Sequence, residues 1–89
     1  MAQMAEVQRQ VAAAPADQLV ANHAMGLYEI AAIKLQQDPP MVDDAKLAID
    51  ALGALVGAIG DRLGEDGMAL QEAVRNLQMA FVQITDRMS

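Results

Sequence analysis

One run constrains this chain more than any other. Val42, Ala45, Ile49, Leu52, Val56, Ile59 and Leu63 recur at alternating spacings of three and four, over three heptads. That is the period of an α-helix with one apolar seam, and a strand, with its period of two, cannot produce it. A second seam follows: Leu70, Val74, Leu77, Phe81, Ile84 and Met88 alternate four and three. Its other side is polar, with Gln71, Glu72, Arg75, Gln78 and Gln83. Two single-seam helices joined by a short turn bury their seams against each other. The predicted hairpin pairs a helix opening at Pro40 with one over 68–86, through a turn at Gly64, Glu65, Asp66 and Gly67.

An earlier helix is predicted over about 15–37, opened by Pro15, since proline suits a first helical turn. Ala16, Val20, His23, Leu27, Ile30 and Ala31 form its predicted stripe. Leu19, Met25, Ile33 and Leu35 widen the apolar surface beyond one face, which suits a helix buried on two sides. Asp38, Pro39 and Pro40 break the chain after it, because proline disfavours helix in the residue before it. Asp43 and Asp44 then fall where a helix dipole favours negative charge. Residues 1–14 carry Met4, Val7 and Val11 at helical spacing among polar neighbours, as a frayed helix or a disordered tail would, and are expected as a weakly ordered lead-in. The remainder, 15–89, is expected as one domain.

Composition agrees with helix. Of 89 residues 54% are hydrophobic but only 2% aromatic, so the core is aliphatic, built from Ala, Leu, Ile, Val and Met. Ala and Leu favour helix, whereas a sheet core is richer in β-branched and aromatic residues. That much apolar content on a short chain exceeds what a monomer of this kind hides, and it implies self-association or a protein partner. The glycines point the same way. Gly53, Gly57, Gly60 and Gly64 lie on the shoulder of the first seam, and each interior glycine costs a helix about 1 kcal/mol against Ala. Close approach of a neighbouring helix is the compensating gain. The predicted packing and assembly residues are therefore Gly53, Gly57, Gly60, Leu27, Ile49, Leu52, Val56 and Phe81. Opposite that seam stand Leu47, Ala51, Ala54 and Ala58, small and apolar rather than charged.

Charge excludes several functions. The net charge is −6, from 12 acidic and 6 basic residues, with no basic cluster. Nucleic-acid contact needs a basic stripe, and anionic membranes repel such a chain. No uncharged run reaches the roughly 18 residues of a membrane span, and no basic stretch followed by an apolar one opens the chain. A cytoplasmic location is expected. With no Cys, thiolate metal sites and disulfides are excluded.

No catalytic constellation is legible. His23 is the one histidine, without an acidic residue three or four positions away, and reads as a core or interface residue. The stretch from Asp61 to Glu72 has the length of a calcium loop, but Leu63 and Asp66 stand where a ligand and a glycine belong. The glycines of 53–60 follow no strand, which excludes a phosphate loop, and Asp50 and Asp61 bracket them too closely for a membrane motif. Ser89 is the one serine and Thr85 the one threonine, and with one His and no Cys no catalytic dyad or triad assembles within one chain. No cofactor, metal or catalytic residue is predicted.

Ala45, Ile49, Asp50, Leu52 and Leu55 spell A-x-x-x-I-D-x-L-x-x-L, between DPPMVDD and a C-terminal LQMAFV element. In these motifs, over about 17–84, the chain resembles a small, actinobacterial-type helical family known only as a domain of unknown function. Gln78 stands where that family carries Arg, so an ion pair made by that Arg has no counterpart at this position. The resemblance implies a helical fold and no known chemistry.

The expectation is an all-α, three-helix domain: the hairpin, with the earlier helix packed across it, assembling as a homo-oligomer. Its expected function is a non-enzymatic interaction or scaffold module that self-associates or docks a protein partner. The alternative is a helical carrier or sensor that holds an apolar small ligand.

Overall fold

The computed structural model describes residues 2–88. It is all-α: α1 (Ala2–Ala13), α2 (Ala16–Leu35), α3 (Val42–Ile59), a single 3-10 turn (Gly60–Arg62) and α4 (Glu65–Met88). The described residues thus form four α-helices rather than the expected three, because residues 2–13 are helical. Ala, Gln, Glu, Arg and Met dominate that stretch and are strong helix formers. Glu6 and Arg9 pair across one of its turns. Pro15, at φ −60° and ψ 136°, separates α1 from α2 as an extended joint.

α2 packs on both α3 and α4, and α3 packs on α4. The core lies between them. α3 contributes Ala45, Ala48, Ile49, Leu52 and Val56; α4 contributes Leu70, Val74 and Leu77; Leu63 closes one end. Leu52 and Leu70 are the largest fully buried side chains. The sequence seams supply most of this core, with Phe81 and Ile84 half-buried further along α4.

α2 departs from its predicted face. Its buried residues are Ala21, Ala24, Ala31 and Leu35, with Tyr28 half-buried among them. Of the predicted stripe, Ala16, His23 and Ile30 are exposed, and Val20 and Leu27 are half-buried. The cause is that α2 is apolar around most of its circumference, so periodicity alone does not select a face. Packing does, and it turns the small side inward, where alanines let helices approach closely.

Two junctions fix the order of the helices. Between α2 and α3 the chain turns through a cis Asp38–Pro39 peptide. The Met41 amide then donates to the Lys34 carbonyl at 2.9 Å. Met41 is not helical, so α3 begins at Val42 and not at Pro40. Between α3 and α4 the 3-10 turn leads to Gly64, whose φ of +64° ends the helical run in the left-handed region. α4 starts at Glu65, ahead of the predicted position, so Gly67 belongs to its first turns instead of to the loop. Gly67 is buried, and a Cβ there would overlap the Gly60 carbonyl oxygen.

The molecule measures 52 × 31 × 15 Å with a radius of gyration of 15.6 Å. A compact chain of this length is expected near 12 Å. α1 explains the excess, since it buries none of its residues.

Candidate functional site

The polar chemistry of the described residues is thin. No three His, Asp or Glu side chains converge where a metal ion could be held. His23 is exposed on α2, not in the core. The segment considered as a calcium loop is the 3-10 turn running into α4, so its backbone is committed to helix. Ion pairs lie at the surface: Lys34–Asp44 at 3.0 Å, Lys46–Asp50 at 2.7 Å and Glu72–Arg75 at 3.4 Å. Thr85 donates to the Phe81 carbonyl at 2.9 Å, an internal helix bond with no catalytic geometry. Ser89 lies outside the described residues.

The predicted packing residues divide into three groups. Ile49, Leu52 and Val56 are buried together in the core. Leu27 and Phe81 are half-buried beside it, on α2 and α4. The glycines separate from one another. Gly60 is buried, and a Cβ on it would meet Val56 Cγ1 at 3.2 Å and Gln71 Nε2 at 3.3 Å. Gly53 faces Val74 at ordinary contact distance, 3.8 Å. Gly57 is exposed with nothing within 4 Å of its Cβ position, so it brings no two helices of one chain together.

What the fold does build is an apolar groove between α2 and α3. Leu27 and Ile30 wall it from α2; Leu47, Ala48 and Ala51 wall it from α3; the Lys34–Asp44 pair closes one end. Its volume is about 240 Å³ and it opens to solvent. Ile30 is 48% exposed and Leu47 73% exposed, so these are bare side chains and not core residues at the surface margin. Beyond Ala51 the α3 wall continues through Ala54 and Ala58, both exposed, at helical spacing. On α2, His23 continues the opposite wall one turn before Leu27.

Half of this groove was legible. The run Leu47, Ala51, Ala54 and Ala58 stands out in the sequence as an uncharged outer face. On the α2 wall Leu27 is among the predicted packing residues, whereas the spacing of Ile30 places it in the core stripe and gives no sign of its exposure. No one-dimensional signal marks the requirement for glycine at position 67, since it arises from the return of the chain past Gly60.

No helix among the described residues is long and apolar enough to cross a membrane. No known family model matches this chain, and no curated protein or solved structure matches it.

Proposed function

We propose that this protein is a non-enzymatic helical interaction module, cytoplasmic and of the bacterial type its motifs resemble, working as a homo-oligomer or docked on a protein partner. Its working unit is the antiparallel hairpin of α3 and α4 with α2 laid across it. One observation carries the reading: Ile30 and Leu47 are 48% and 73% exposed on neighbouring helices, in the walls of a groove that no part of the same chain covers. Contiguous apolar surface of this kind marks interaction sites rather than ordinary monomer surface. Direct binding to nucleic acid has no support from a chain of net charge −6.

Carriage of an apolar small ligand is the competing reading. The apolar lining favours it. Openness argues against it, since ligand sites bury most of the ligand, whereas this groove lies open to solvent.

The test is light scattering of the pure protein beside a screen of lipids and apolar cofactors read by thermal shift. A mass at a defined multiple of the 9.5 kDa chain supports the interaction module. A monomer stabilised by one ligand class, with a rise in melting temperature that saturates, would establish the carrier instead.

A further inference from the structure

We propose that the groove between α2 and α3 is the seat for α1 of a second copy of this chain. The inference rests on the interaction-module reading above and names both the partner and its contact. α1 carries Met4, Val7 and Val11 at helical spacing, all 52–69% exposed. A helix of 12 residues is marginal in water unless its apolar face is packed. The same chain therefore presents an apolar helix without a groove and an apolar groove without a helix.

Area is sufficient for a second copy. The chain exposes 6391 Å². A folded monomer of 9.5 kDa is expected to expose about 5,000 Å². The excess, roughly 1,300 Å², is larger than the roughly 800 Å² each partner contributes to a stable interface. A second copy thus has the area it needs without further folding of either chain. Length agrees as well. α1 has 12 residues, about 18 Å of helix, and the α3 wall from Leu47 to Ala58 spans the same number of residues.

The chain's own α1 does not reach the Ile30–Leu47 end of this seat. Ala14 and Pro15 alone join it to α2. Folded back along α2, Val7 lies level with about residue 23. Ile30, the α2 neighbour of Leu47 in the groove, is then roughly 10 Å further on, at 1.5 Å per residue. Charge agrees with an α1 seat. Glu6 and Arg9 are the charges of α1 and pair with each other, so α1 is the neutral part of an acidic chain and brings least repulsion to a second copy.

The chain has no Cys, which permits a direct test in the full-length protein. Differently tagged Val7→Cys and Leu47→Cys chains are mixed, oxidised mildly and read by non-reducing mass spectrometry, beside light scattering of the unmodified chain. The expected result is a dimer in which the mixed Val7→Cys/Leu47→Cys disulfide exceeds either like-with-like product several-fold. Prevalence of the Val7→Cys self-disulfide means that α1 pairs with α1, and overturns the seat. An intrachain disulfide in the Val7→Cys/Leu47→Cys double variant overturns it in favour of the chain's own helix. A dimer that yields no mixed disulfide overturns the seat but leaves self-association standing. A monomer at all concentrations overturns both. As a second measurement, Leu47→Glu should raise the dimer dissociation constant at least tenfold while leaving the circular-dichroism spectrum unchanged. An unaltered dissociation constant would count against the seat.

Discussion

Gly67 lies against the carbonyl of Gly60, so near that any side chain at position 67 would overlap the Gly60 oxygen. This backbone-to-backbone contact locks the start of α4 onto the end of α3. It is the point in the chain where glycine is required by space rather than by backbone angle.

Gly67→Ala is therefore expected to destabilise the fold by about 2 kcal/mol or more, since backbone atoms cannot move aside as a side chain does. Gly60→Ala should cost less, because its near neighbours are Val56 and Gln71 side-chain atoms at 3.2 and 3.3 Å. Urea unfolding of both variants, compared at one protein concentration, checks the order. Equal costs would remove the distinction.

Gly57→Ala should act in the opposite sense. Its Cβ would meet nothing within 4 Å, so the helix gains about 1 kcal/mol of propensity at no steric cost. The check is a urea titration in dilute solution. Destabilisation there would mean that a neighbour absent from the single chain packs against this position.

Leu52→Ala and Leu70→Ala should each cost about 2–5 kcal/mol, the range for emptying a fully buried leucine site. Both residues have exposures of 1% or less. Leu47→Ala, at 73% exposure, should leave the unfolding of a dilute monomer within about 0.5 kcal/mol. Thermal or urea melts that fail to separate these sites would contradict the placement of the core.

The Lys34–Asp44 pair spans α2 and α3, but its side chains are 34% and 53% exposed. Asp44→Asn should change stability by no more than about 1 kcal/mol, and by less in high salt. A larger loss in urea melts would show that the pair does more than close the end of the groove.

Self-association of a chain of net charge −6 should tighten with added salt, because screening reduces repulsion between copies while the neutral α1 contact is unaffected. Sedimentation at about 0.05 M and 0.5 M salt measures this. A dimer that weakens at high salt would indicate contacts held by opposite charges instead of by apolar surface.

Helical character, the α3 seam and the α4 seam were legible in the order of residues, because a spacing of three and four has only one regular backbone that places it on a single face. Ile49, Leu52, Val56, Leu70, Val74 and Leu77 accordingly lie where that spacing puts them. The outer stripe of Leu47, Ala51, Ala54 and Ala58 was legible for the same reason. Only tertiary structure decided the rest. α2 is apolar on nearly every side, so of its predicted stripe only Ala31 is fully buried, while its neighbours, not its pattern, chose Ala21 and Ala24 for the core and left His23 and Ile30 outside. The need for glycine at 67 and the freedom of Gly57 likewise depend on whether another part of the chain passes close by, a distance in space that spacing along the chain does not encode.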